Sequence, residues 1–69
     1  MIDTAKLRGL IVERGLSQRQ VAESIGISSR TFYSKMKNGI FSSAEIDAMI
    51  SVLAIQDPVS IFFENAVAQ

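Results

Sequence analysis

Apolar residues recur along this chain at the three- and four-residue spacing of a helix. Leu7, Leu10 and Ile11 form one set, and Val21, Ala22 and Ile25 a second. Phe32 and Met36 form a third, Ile46, Met49, Ile50 and Leu53 a fourth, and Val59, Phe62, Phe63 and Ala66 a fifth. Four of these sets are preceded by a residue whose side-chain oxygen can accept an unpaired backbone N–H at a helix start: Asp3, Ser17, Ser28 and Ser42. Each of the four sits between an apolar residue just before it and another four positions on, the pairing that pins the entry of a chain into a helix. These pairs are Ile2 and Leu7, Leu16 and Val21, Ile27 and Phe32, and Phe41 and Ile46. Ser17-x-x-Gln20 and Ser42-x-x-Glu45 complete capping boxes, and Asp57-Pro58 supplies a cap and a first-turn proline. Gly15, Gly26 and Asn38-Gly39 stand where left-handed residues end helices. The pattern predicts helices over 4–14, 18–25, 29–37, 43–54 and 58–67, with no strand-like alternation, internal repeat or low-complexity linker.

The stretch from Leu16 to Gly39 is the most informative part. Two short helices are joined by a turn at Gly26, and the second has an apolar back of Phe32 and Met36. Its other side carries Ser29, Arg30, Tyr33, Ser34 and Lys37. A helix with an apolar back and a hydrogen-bonding, partly cationic front suits the DNA major groove. Arg19, Lys35 and Lys37 are candidate phosphate ligands by charge, and Asn38 is a candidate for a close backbone approach to phosphate.

The residues Ser17-Gln18, Val21-Ala22, Gly26-Ile27, Ser28-Ser29, Phe32 and Asn38-Gly39 resemble the Cro/repressor helix-turn-helix family of phages and bacteria, which has the lambda-repressor-like fold. Glu45-Ile46, Met49-Ile50, Leu53 and Ile55 look like that family's fourth helix, so the resemblance covers about residues 3–56. It implies a compact five-helix, all-α DNA-binding domain, 1–69, with the helix-turn-helix at helices 2 and 3. It also implies that Ser28, Ser29, Arg30, Tyr33 and Ser34 read bases and that Gln18 bonds a backbone phosphate. Ser28 serves as the cap and is a candidate to reach a base edge. Tyr33 is placed to touch a thymine methyl or a phosphate. Two departures from the family stand out: an apolar Ile40-Phe41 where the loop is often polar or basic, and Ser42-Ser43 where a proline is common.

The net charge is zero, which alone argues against a nucleic-acid partner. The distribution of charge points the other way. Residues 1–39 hold all seven bases and three acids, a balance of +4, and residues 40–69 hold four acids and no base. Phosphate binding needs local positive charge rather than a basic total. The chain lacks cysteine and histidine, so it has neither disulfides nor thiolate or imidazole metal sites, and no cofactor is implied. No apolar run approaches the roughly 18 residues of a membrane span, and the family resemblance implies a cytoplasmic protein of a bacterial host. Scattered acids and no Gly-rich phosphate loop argue against an enzyme.

The expected function is a sequence-specific transcription regulator of phage or prophage type, a Cro-like repressor in a lysis–lysogeny switch. A homodimer on a palindromic double-stranded operator is expected, with half-sites about one helical turn apart. The alternative is an anti-repressor of the same fold that binds a partner phage repressor. Ile61, Phe62 and Phe63 make a broad apolar band near the end of the chain. The band either closes the core or forms a partner interface, and its size points to association.

Overall fold

The computed structural model describes residues 2–62, and over them the chain is all-helical. The elements are α1 (Thr4–Glu13), α2 (Gln18–Ile25), α3 (Ser29–Asn38), α4 (Ser43–Val52) and α5 (Pro58–Phe62). Each of the first four begins at the cap that the sequence marks. Asp3, Ser17, Ser28 and Ser42 accept the backbone N–H of Lys6, Gln20, Thr31 and Glu45 at 3.0 to 3.2 Å. Both capping boxes are closed, with Gln20 and Glu45 accepting the N–H of their own cap residues at 2.8 Å. The predicted extent of the last helix beyond Phe62 lies outside the described residues.

The ends of the helices repeat one device. After α2, the N–H of Gly26 reaches the carbonyl of Glu23 and the N–H of Ile27 reaches that of Ala22, while Gly26 turns left-handed at φ +84°. This is the motif that satisfies orphan carbonyls at a helix end. The same pair of bonds follows α1 around Gly15 and α4 around Ala54. Ala54, at φ +50°, is the one left-handed residue besides glycine among the described residues. The apolar spacing predicts a fourth helix as far as residue 54, because no glycine marks the stop. The helix ends at Val52 instead, and the reversal at Ala54 turns Ile55 into the core.

The core joins Leu7 and Ile11 of α1, Val21 and Ala22 of α2, Phe32 and Met36 of α3, and Met49 of α4. Ile2, Phe41, Leu53, Ile55, Ile61 and Phe62 complete it. α2 packs against both α3 and α4, and α1 against α2 and α5. The loop departure at Ile40-Phe41 resolves into two roles. Phe41 turns inward, its ring centroid 5.5 Å from that of Phe32, whereas Ile40 remains 69% exposed.

Of the two readings of the band at the end of the chain, the burial of its described residues favours core closure. Ile61 and Phe62 are 8% and 3% exposed and belong to the core. A backbone tie accompanies the burial: the N–H of Asp3 donates to the carbonyl of Ile61 at 2.7 Å, and α5 packs against α1. Phe63 lies outside the described residues. No helix among the described residues is long and apolar enough to cross a membrane.

Candidate nucleic-acid interface

α3 is held by its apolar side and presents the other. Phe32 and Met36 lie one turn apart and are buried at 0% and 4% exposure. At 100° per residue, Arg30, Ser34 and Lys37 cluster on the opposite side, and all three are exposed. Tyr33 is exposed on one flank and Thr31 on the other. Among the described residues, Arg30 and Lys37 make no ion pair, so both charges face solvent. Lys37 sits in the last turn of α3, where a cation complements the helix dipole.

Ser29 does not join the exposed set. It is half-buried, because its position on the helix falls beside Met36 rather than opposite it. Ser28 is exposed, and its hydroxyl has local duties. Its oxygen accepts the N–H of Thr31 at 3.1 Å, and the hydroxyl donates to Thr31 Oγ1 at 2.9 Å. Thr31 is not among the residues that the sequence singles out for the site. The Ser-x-x-Thr spacing that places its hydroxyl against the cap is the signal that marks it.

The expected phosphate ligands divide. Gln18 opens α2 and is half-buried. Arg19 is exposed, with its Nε 4.0 Å from Glu23 Oε2 across one turn; the side chains are 75% and 66% exposed, so the pairing is weak. Asn38 is the last residue of α3 and exposed, and the left-handed residue is Gly39 at φ +70°, not Asn38. Glycine adopts that conformation without the Cβ clash that an asparagine would meet.

Lys35 departs furthest from expectation. Its ammonium donates to Glu45 Oε1 at 2.9 Å, with side chains only 30% and 14% exposed. Burial raises the Glu45 pKa, but hydrogen bonds from the Ser42 N–H and from Lys35, and the charge of Lys35, lower it more, so the carboxyl lies below its ordinary value. Lys35 therefore faces a carboxylate of its own chain rather than open solvent. Arg14, the other cation that the fold engages, donates to the carbonyls of Leu53 and Ala54 at 2.7 and 3.3 Å. The basic surface left on the helix pair is that of Arg19, Arg30 and Lys37.

A capped helix, a glycine turn and a second helix with an apolar back and a polar, cationic front form the arrangement that lays a helix in a major groove. Neither the curated proteins nor the solved structures gave a match to the chain. The sequence model of the helix-turn-helix family matches residues 7–55, from the first core leucine of α1 to the isoleucine that follows α4. That match spans well over half of the 69 residues and contains both helices of the pair; the chain belongs to the helix-turn-helix family of Cro/repressor type, whose members are DNA-binding transcription regulators rather than enzymes.

Proposed function

We propose that this protein is a sequence-specific regulator of phage or prophage Cro type that reads an operator through the major groove with α3. The observation that carries the reading is the line of Arg30, Ser34 and Lys37 set opposite the buried Phe32 and Met36. Arg30 is suited to the O6 and N7 acceptors of guanine, a pairing worth roughly 1–3 kcal/mol of discrimination. Ser34 and the Ser28–Thr31 hydroxyl pair are suited to base edges or phosphate near the start of the helix, and Tyr33 to a thymine methyl or a phosphate. Gln18, Arg19, Lys37 and the backbone after Asn38 supply the phosphate contacts that fix register. One such module contacts few bases, so a dimer on a palindrome is the working form, with half-sites about 34–36 Å apart.

The test is selection from a pool of random-sequence duplexes. Enrichment of a palindromic site, with affinity falling steeply as salt rises, supports the reading. Failure of the pure protein to enrich any duplex overturns it.

One observation favours a second reading. Ile40, 69% exposed, stands beside α3 where the family more often places a polar or basic residue. An apolar side chain there suits a protein surface better than a phosphate. In that reading the protein is an anti-repressor, and DNA shifts only through a partner repressor.

A further inference from the structure

The C-terminal end of α3 is locked to the start of α4 through one carboxylate oxygen. Glu45 Oε1 accepts the Lys35 ammonium at 2.9 Å and the backbone N–H of Ser42 at 2.8 Å. The main-chain carbonyl of Lys35 accepts the N–H of Gly39 at 2.8 Å and that of Ile40 at 3.2 Å. A single residue thus ends one helix with its backbone and grips the first turn of the next with its side chain. α4 itself packs on α2, so the grip ties α3 to both of its neighbours.

The other restraints on α3 are mostly of a different kind. Phe32, Met36 and Phe41 hold it by apolar burial, which is strong but non-directional and fixes which side of the helix turns inward more than its exact rotation. A charge-assisted hydrogen bond between half-buried groups has a preferred length and direction. The aim of Arg30, Ser34 and Lys37 depends on that rotation. We propose that Lys35 is a positioning residue for DNA reading, acting through Glu45 to fix the rotation of α3, and that it is not a phosphate ligand. This assignment rests on α3 being the reading helix.

Two variants separate the roles. Lys35→Met removes the ammonium and keeps most of the side-chain stem. Glu45→Gln keeps an amide oxygen for the Ser42 N–H and removes only the ion pair. Each is compared with the wild type on the duplex enriched from the random pool and on a scrambled duplex, over a range of salt, with thermal melts to confirm the fold.

A positioning role predicts that both variants bind the enriched duplex roughly tenfold more weakly, a typical coupling within one contact network. Binding to the scrambled duplex should change much less, and the salt slope should match that of the wild type. Lys35→Arg should restore affinity, and the double variant should be no weaker than either single one. The Glu45 result is diagnostic in sign, since loss of an acidic charge near DNA strengthens binding by electrostatics alone. A Lys35→Met slope shallower by about 0.9, the loss of one phosphate contact, together with tighter binding by Glu45→Gln, makes Lys35 a phosphate ligand and overturns the assignment. Wild-type behaviour in every variant overturns it as well. If the wild type enriches no duplex, the DNA reading itself falls, and the assignment with it.

Discussion

Arg14 reaches across the domain to Leu53, donating from its Nε to the backbone carbonyl at 2.7 Å, with a second, longer bond to the carbonyl of Ala54. These carbonyls lie at the end of α4, where no further helical turn would satisfy them and where a cation complements the helix dipole. The contact spans 39 positions of sequence and ties the end of α1 to the end of α4. Arg14→Ala should cost roughly 1–2 kcal/mol, in the range for a partly buried hydrogen bond to a charged group. In a domain of this size that lowers the melting temperature by about 4–8 °C per kcal/mol. Arg14→Lys should recover little, because an ammonium lacks the two-pronged fork. A wild-type melting curve for Arg14→Ala would show that water serves these carbonyls equally well.

The residue beside that contact is open to improvement. Ala54 holds φ +50° at the position where Gly15, Gly26 and Gly39 end the earlier helices. A left-handed alanine costs roughly 1–2 kcal/mol, against the smaller entropic cost of glycine in the unfolded chain. Ala54→Gly should therefore stabilise the protein by about 0.5–1 kcal/mol. Urea denaturation measures it as a higher midpoint at unchanged slope. A lower midpoint would mean that the methyl group makes a packing contact worth more than the strain.

The two positions illustrate what the sequence discloses. Helix starts were legible because each cap is local: Ser17, Ser28 and Ser42 bond an N–H three residues away. The apolar backs of α2 and α3 were legible because the 3.6-residue period is local too. The exposed side of α3 followed by subtraction, except at Ser29 near the boundary. Ala54 was hidden because alanine carries no local signal for a left-handed turn, and the burial of Ile55 that goes with the turn is a matter of tertiary packing. Lys35 and Arg14 were read only as charge, since the groups they engage are set by the packing of α4 and stand 10 and 39 positions away. Ile61 and Phe62 left core and surface open because apolar character cannot tell which face a short helix turns inward.

Phe62 provides the direct check on that last point. It is 3% exposed, in a helix anchored by the Asp3–Ile61 backbone bond. Phe62→Ser should remove roughly 3–5 kcal/mol, the range for truncating a buried phenylalanine. A core residue lowers stability equally at every protein concentration, whereas an interface residue makes the loss concentration-dependent by mass action. Thermal melts from micromolar to hundreds of micromolar separate the two. A loss seen only at high concentration would return Phe62 to the interface.

Acid should loosen the fold through Glu45. Its carboxyl holds a proton less tightly in the native state than at its ordinary value of 4.5, because the hydrogen bonds from Ser42 and Lys35 outweigh burial. The ionised group therefore contributes its full stability above the unfolded pKa and loses it as pH falls through the lower native pKa. Glu45→Gln should be less stable than the wild type at neutral pH, and the gap should narrow below about pH 4 as the wild-type carboxyl is protonated. Denaturant midpoints of the two proteins between about pH 3 and 7 test this. Equal midpoints for the two proteins over that range would place the value of Glu45 in its capping oxygen alone, which glutamine keeps.

Arg30 bears the most specific expectation for the DNA-reading role. It is exposed, free of ion pairs among the described residues, and set on the side of α3 away from Phe32. If it pairs with a guanine edge, Arg30→Ala should weaken binding to the selected operator by roughly 1–3 kcal/mol and relax the preference at one base position. Binding to random duplex should fall much less, because a base-edge contact carries sequence information and a phosphate contact does not. Thermal stability should stay within about 0.5 kcal/mol of wild type, since the residue is exposed. Repeating the duplex selection with the variant identifies the position that Arg30 reads as the one whose preference is lost. Equal losses on operator and random duplex, with every base preference retained, would place Arg30 on the phosphate backbone and leave Ser34, Tyr33 and the Ser28–Thr31 pair to carry the sequence reading.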